Sequence, residues 1–254
     1  MDLVLLTALG VGASTIVGAL IGFGFKNISH KFSDIILSFA AGVMLAAAVL
    51  GLIIPSVEYG ERYGMPIALS ISILGIFAGA FCLSLIDKLV PHLHALAGVE
   101  QENHPGEGLN KVLLFVMAIA IHNLPEVIAA GVGFGSGDTS GALIIAGGIA
   151  LQNIPEGMVI IAPMLASGVS KKRTLLIASM TGLVEVVGTL IGYLAVSIST
   201  AILPFALAFA GGTMLYVISD EMIPETHAHG SQRGATYALL GGFALMLCMD
   251  FLLG

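Results

Sequence analysis

The chain has 254 residues, of which 57% are hydrophobic and only 10% charged, with a mean hydropathy of +1.03. A soluble domain carries about 25% charged residues, so the composition points to an all-α integral membrane protein. The formal net charge of −7 excludes a general nucleic-acid or polyanion binder.

Nearly uncharged stretches recur along the sequence, each long enough to cross a hydrocarbon core of about 30 Å. Eight spans are predicted, at 3–25, 34–55, 66–87, 111–132, 141–166, 174–198, 204–225 and 235–252, making one transmembrane domain over 1–254. The 33 glycines suit close packing of membrane helices. The first span starts within MDLVLLTALGVGAS, which lacks the positive region of a signal peptide, and no soluble domain is expected at either end. Cys82 and Cys248 fall in apolar runs and read as small core residues.

Lys26, Lys31, Lys88, Lys111, Lys171, Lys172, Arg173 and Arg233 all fall in alternate loops, and the opposite set carries only Arg62. This asymmetry assigns the first set to the cytoplasm. Both termini are then extracytoplasmic, and the cell (inner) membrane is the expected location. The one long loop, 88–110, is cytoplasmic, with His92, His94 and a solvated His104.

Polar residues gather half-way along the spans. In the fourth, His122 and Glu126 are one helical turn apart and share a face that Asn123 borders. The fifth repeats the layout with Gln152, Asn153 and Glu156, and the sixth adds Glu185. Consecutive spans run antiparallel, so the two copies suit a pseudo-two-fold axis in the membrane plane. Pro125 and Pro155 free the carbonyls of Ile121 and Leu151, and a kink at each would open room between helices.

Each ionised side chain at the bilayer centre costs roughly 2.5–3.5 kcal/mol. Glu126, Glu156 and Glu185 share one depth, with no Lys or Arg mid-span to neutralise them. They are either protonated or gathered around a cation. Carboxylates, imidazole, amides and the Met44 thioether form a mixed donor set that suits a borderline divalent metal better than Na⁺, K⁺ or Mg²⁺. Met44 taken alone reads more readily as core packing than as a ligand. Asn123 and Asn153 are direct ligands or partners that orient ligands.

At the inner side, Asp87, His92 and His94 close the third span, while Asp220, Glu221, Glu225, His227 and His229 line the end of the seventh and its loop. They could relay a departing metal. Outside, Glu58 and Asp250 read as interfacial carboxylates. An intramembrane metalloenzyme is disfavoured, since HExxH is absent. An organic-ion carrier would want a pocket without soft donors, and a sensor would want an output domain.

In HNLPE, QNIPEG and GLVEVVG, supported by AAGVML, DKLVPHLH and GGTMLYVISDEMIPETH, the chain resembles the ZIP (Zrt/Irt-like) family of divalent metal transporters over essentially its whole length. The resemblance implies eight transmembrane helices in a 3+2+3 arrangement. Helices 1–3 and 6–8 would form an inverted repeat around helices 4 and 5. It implies transport of Zn²⁺, Cd²⁺, Fe²⁺ or Mn²⁺ into the cytoplasm as substrate, without a resident cofactor, by a lipid-embedded protein whose relatives often form homodimers. By motif, one metal site would use Met44, His122, Glu126 and Glu156. A second would use Asn123, Gln152, Asn153 and Glu185, bridged by Glu126 and Glu156. Gln152 stands where many relatives have His, and Asn153 where some bacterial ones have Asp. A second site built on neutral amides would therefore hold metal more weakly.

Overall fold

A computed structural model describes residues 2–25, 29–89, 123, 127, 130–135, 137–166, 169–198 and 200–253. Among them the chain is helical, with no strand. The spans in chain order are α1 (Asp2–Gly22), α2 (His30–Tyr63), α3 (Met65–Leu89), α4, α5 (Thr139–Ala166), α6 (Lys171–Ile198), α7 (Leu203–His227) and α8 (Gln232–Leu253). Of α4 the described residues are Asn123, Val127 and 130–135, all helical. The other seven are each long and apolar enough to cross a membrane. The interior of a bilayer offers no hydrogen bonds to backbone, so a chain this apolar satisfies its amides within helices.

The helices are longer than expected at several ends. α2 starts at His30, where the Ser29 hydroxyl accepts from the Phe32 amide at 3.3 Å. It then runs past Pro55 and takes in Glu58. Two helices are locally widened into π geometry, α2 at Ala47–Ile53 and α7 at Ile218–Met222. Each widening comes just before a proline, Pro55 or Pro224. Proline lacks the amide that a regular turn needs, and an inserted residue re-registers the ladder there. Apolar periodicity carries no mark of such an insertion, so the predicted ends fell short. α5, by contrast, stays helical through Pro155.

Pairing follows the inverted repeat. α3 packs chiefly on α7, and its counterpart α8 packs on α2, while α1 crosses α6 and also packs on α5. Glycines place these crossings. A Cβ on Gly79 in α3 would strike the Phe209 carbonyl of α7, and a Cβ on Gly242 in α8 would strike the Phe39 carbonyl of α2. Gly12 and Gly182 meet reciprocally, each against the other's carbonyl oxygen. α5 lies between α1 on one side and α2 and α8 on the other. α4 reaches α6 where Gly131 abuts the Thr189 carbonyl. Large apolar side chains such as Phe77, Phe81 and Phe251 face outward, as a lipid-facing surface requires.

Candidate metal-transport site

The polar midplane residues are assembled by close helix approach. Gly18 of α1 lies against the Ile154 carbonyl of α5, and Gly157 of α5 against the Thr15 carbonyl of α1. A side chain at either position would drive the helices apart. With Gly12 and Gly182 closing the other contact, α1 brings Thr15 within reach of both α5 and α6.

Glu185, half-way along α6, is fully buried. Three donors from three other helices converge on it. Thr15 Oγ1 donates to Oε1 at 2.6 Å, Asn123 Nδ2 to the same oxygen at 3.0 Å, and Asn153 Nδ2 to Oε2 at 2.7 Å. Its backbone carbonyl accepts from Thr189 Oγ1 at 3.0 Å. Gathered hydrogen bonds of this kind satisfy a carboxylate inside lipid.

One turn beyond Asn153, Glu156 stands differently. Its Oε2 is buried and has no hydrogen-bond partner among the described residues, and the same holds for Asn153 Oδ1. Buried acceptors left open beside a buried carboxylate are what a cation requires, because an unmatched oxygen otherwise costs about 1–3 kcal/mol. No Lys or Arg occurs in residues 139–166 or 174–198 to fill that role. The donor set fits a divalent metal arriving as substrate.

The structure therefore brings Asn123, Asn153, Glu156 and Glu185 together. Gln152 is buried on the adjoining face of α5. Met44 is buried in the main apolar core cluster together with Met214. His122 and Glu126, the other two residues expected at the site, lie outside the described residues. Among those described, no three His, Cys, Asp or Glu side chains come together as a metal ligand set.

At the inner end, His92 and His94 also lie outside the described residues, as does the side chain of Asp87. Asp220 and Glu225 are exposed, and Glu221 is half-buried. His227 has both ring nitrogens engaged: Nδ1 is 2.8 Å from the Ile223 carbonyl, and Nε2 is 3.2 Å from Thr236 Oγ1. It thereby ties α7 to α8. His229 pairs with Asp34 of α2. Glu58 is exposed within α2, and Asp250 is half-buried in α8.

Sequence reasoning missed Thr15 and Asp34. A threonine in an apolar helix resembles filler, but a signal was present: GASTIVGALIG at 12–22 repeats as GLVEVVGTLIG at 182–192, with Thr15 matching Glu185. Asp34 carries no comparable mark.

Comparison with known proteins identifies the family. Residues 97–250 match the family described as ZIP Zinc transporter. The chain is 42% identical over 252 residues to the zinc transporter GufA of Myxococcus xanthus, covering 98% of each protein. It is 38% identical over 244 residues to the zinc transporter ZIPB of Bordetella bronchiseptica, covering 95% of this chain and 78% of that protein. To the zinc transporter ZupT of Chlorobium chlorochromatii it is 32% identical over 246 residues, covering 92% and 91%. Membrane-spanning helices, a buried acidic midplane and these similarities converge: the chain belongs to the ZIP family and is a multi-pass membrane transporter, not an enzyme.

Proposed function

We propose that this chain carries Zn²⁺ into the cytoplasm across the cell (inner) membrane, with both termini outside. The observation that carries the reading is the open pair of buried acceptors, Glu156 Oε2 and Asn153 Oδ1, in a family whose named relatives are zinc transporters. The orientation follows from the loop cations. Cd²⁺, Fe²⁺ and Mn²⁺ share the borderline ligand preferences of the site and compete as cargo.

The principal site is Met44, His122, Glu126 and Glu156. Glu185 accepts three hydrogen bonds, so it holds Asn123 and Asn153 in place. For metal to bind at a second site with Gln152 and the open Asn153 Oδ1, Glu185 must give up hydrogen bonds that now occupy both of its oxygens. That rearrangement makes the second site the weaker of the two.

In the transport cycle, Zn²⁺ sheds water at the midplane and displaces protons from the carboxyl groups, as metal ligands of this kind release protons on binding. One helix group then moves against the other. The π segments of α2 and α7 supply compliant points on the outer and inner sides. Metal leaves past the inner carboxylates and histidines: Asp87, His92, His94, Asp220, Glu221, Glu225 and His229. A homodimer in the bilayer is the assembly in which this occurs.

The test is uptake of Zn²⁺, Cd²⁺, Fe²⁺ and Mn²⁺ by purified protein in liposomes, with internal pH followed by a dye. Glu126→Ala and Glu156→Ala should each lose nearly all flux, and Gln152→Ala should lose less, to an extent that depends on the metal. Full zinc flux in Glu156→Ala would sink the site. Flux that moves no protons and ignores pH would remove the coupling.

A further inference from the structure

The end of the bundle carrying Lys31 and Arg233 holds metal-ligating side chains that the midplane does not use. His30, Asp34 and Ser38 recur one turn apart at the start of α2 and share one helix face. From the turn after α7, His229 brings Nδ1 to 3.0 Å from Asp34 Oδ1. Its ring also lies on that of His30, with centroids 4.7 Å apart and planes inclined by 25°. Both histidines are exposed, whereas Asp34 is only 2% exposed. Asp34 Oδ2 and Ser38 Oγ are buried and have no hydrogen-bond partner among the described residues.

A carboxylate bonded to one nitrogen of an imidazole decides what the other nitrogen can do. With Nδ1–H donated to Asp34, His229 presents the Nε2 lone pair outward, the arrangement in which carboxylates orient metal-binding histidines. A second imidazole lies directly beside it, from a different helix. The Asp34 bond fixes the His229 ring, so a rotation of the His30 ring alone about its Cβ–Cγ bond turns the stacked pair into one that shares an ion. The buried Asp34 supplies the compensating negative charge.

We infer that His30 and His229, oriented by Asp34, form a binding site for a borderline divalent metal such as Zn²⁺ at the cytoplasmic mouth, separate from the midplane. Its place on the cytoplasmic side rests on the transport reading; its chemistry does not. Two nitrogen ligands, with water completing the shell, hold metal less firmly than a closed four-ligand site, as suits release or sensing. Because the ligands come from α2 and from the end of α7, an ion there clasps equivalent helices of the two halves.

The experiment is histidine carbethoxylation by diethyl pyrocarbonate on the purified full chain, read by peptide mass spectrometry with and without Zn²⁺. Zn²⁺ should protect His30 and His229 together, and Mg²⁺ should not. Protection should persist in Glu156→Ala, whose midplane site is disabled. Asp34→Asn should raise the zinc concentration for half-protection about 10- to 100-fold. His30→Ala should abolish protection of His229 in a protein that keeps its own fold at that turn. Absence of zinc protection, or its disappearance in Glu156→Ala, overturns the site and leaves the stacked pair a tether between helices. Wild-type zinc uptake by Glu156→Ala would instead sink the midplane reading while leaving this one standing.

Discussion

Residues 12–22 and 182–192 are one helical segment written twice, and they cross glycine on glycine at Gly12 and Gly182. They differ where the chemistry lies. Thr15 holds in one half the position that Glu185 holds in the other, and the two side chains bond to each other at 2.6 Å. The central helices depart from symmetry in the same way, with HNLPE at 122–126 against QNIPE at 152–156. The scaffold is thus two-fold while its polar centre is not. Carboxylates at both crossing positions would repel, and hydroxyls at both would leave two asparagine amides without the two-oxygen acceptor that now holds them.

The largest effect should come from making the halves alike through Glu185→Thr. Thr15, Asn123 and Asn153 then lose a shared acceptor in a fully buried place, and each stranded donor costs about 1–3 kcal/mol. Thermal unfolding in detergent should fall steeply, with little folded protein recovered and negligible zinc uptake. An unchanged unfolding temperature would mean that the three donors are not held by this carboxylate.

Making the halves alike in the other sense, Thr15→Glu, should come next. It adds a carboxyl group at the midplane, at roughly 2.5–3.5 kcal/mol if ionised. The variant should unfold at lower temperature without metal and recover part of the difference when Zn²⁺ is added, because a cation between the two acids offsets their repulsion. Equal stability of wild type and variant without metal would show that the asymmetry at this position is indifferent.

These two positions also mark the limits of what the sequence discloses. The seven spans seen among the described residues were legible because lipid imposes length and apolarity on every crossing helix, and the repeated motifs stood out because polar residues in such a setting are costly. The ends of α7 were legible to within two residues, but those of α2 were not, since the π segment at 47–53 leaves apolar periodicity undisturbed. Nor could the motif that contains Glu185 say that its partners would be donors. That depends on which faces of α1, α4 and α5 meet, and thus on glycine contacts such as Gly18 with Ile154. The pairing of Asp34 with His229 spans most of the chain and follows only from the packing of α2 beside the end of α7.

A middling effect tests the scaffold apart from its chemistry. Gly12→Ala and Gly182→Ala each push a methyl group into the opposing carbonyl, so something must shift. Overpacking of this kind costs about 1–3 kcal/mol. Because the contact is reciprocal, the two variants should lower the unfolding temperature by similar amounts. A loss confined to one of them would show that the crossing is not two-fold in energy, whatever its geometry.

The smallest effect should be that of Thr15→Val, which keeps the shape of the side chain and removes only its hydroxyl. Asn123 and Asn153 still occupy both oxygens of Glu185, so no buried acceptor is stranded. Interhelical hydrogen bonds of this type average about 0.6 kcal/mol in a membrane protein. The unfolding temperature should drop slightly and zinc uptake should stay within a few-fold of wild type. If the hydroxyl instead sets where the carboxylate points, the variant will keep its stability while its apparent affinity for zinc changes. Comparing the two measurements on this one substitution therefore decides whether the half that lacks the acid contributes only packing or also aims the acid in the other half.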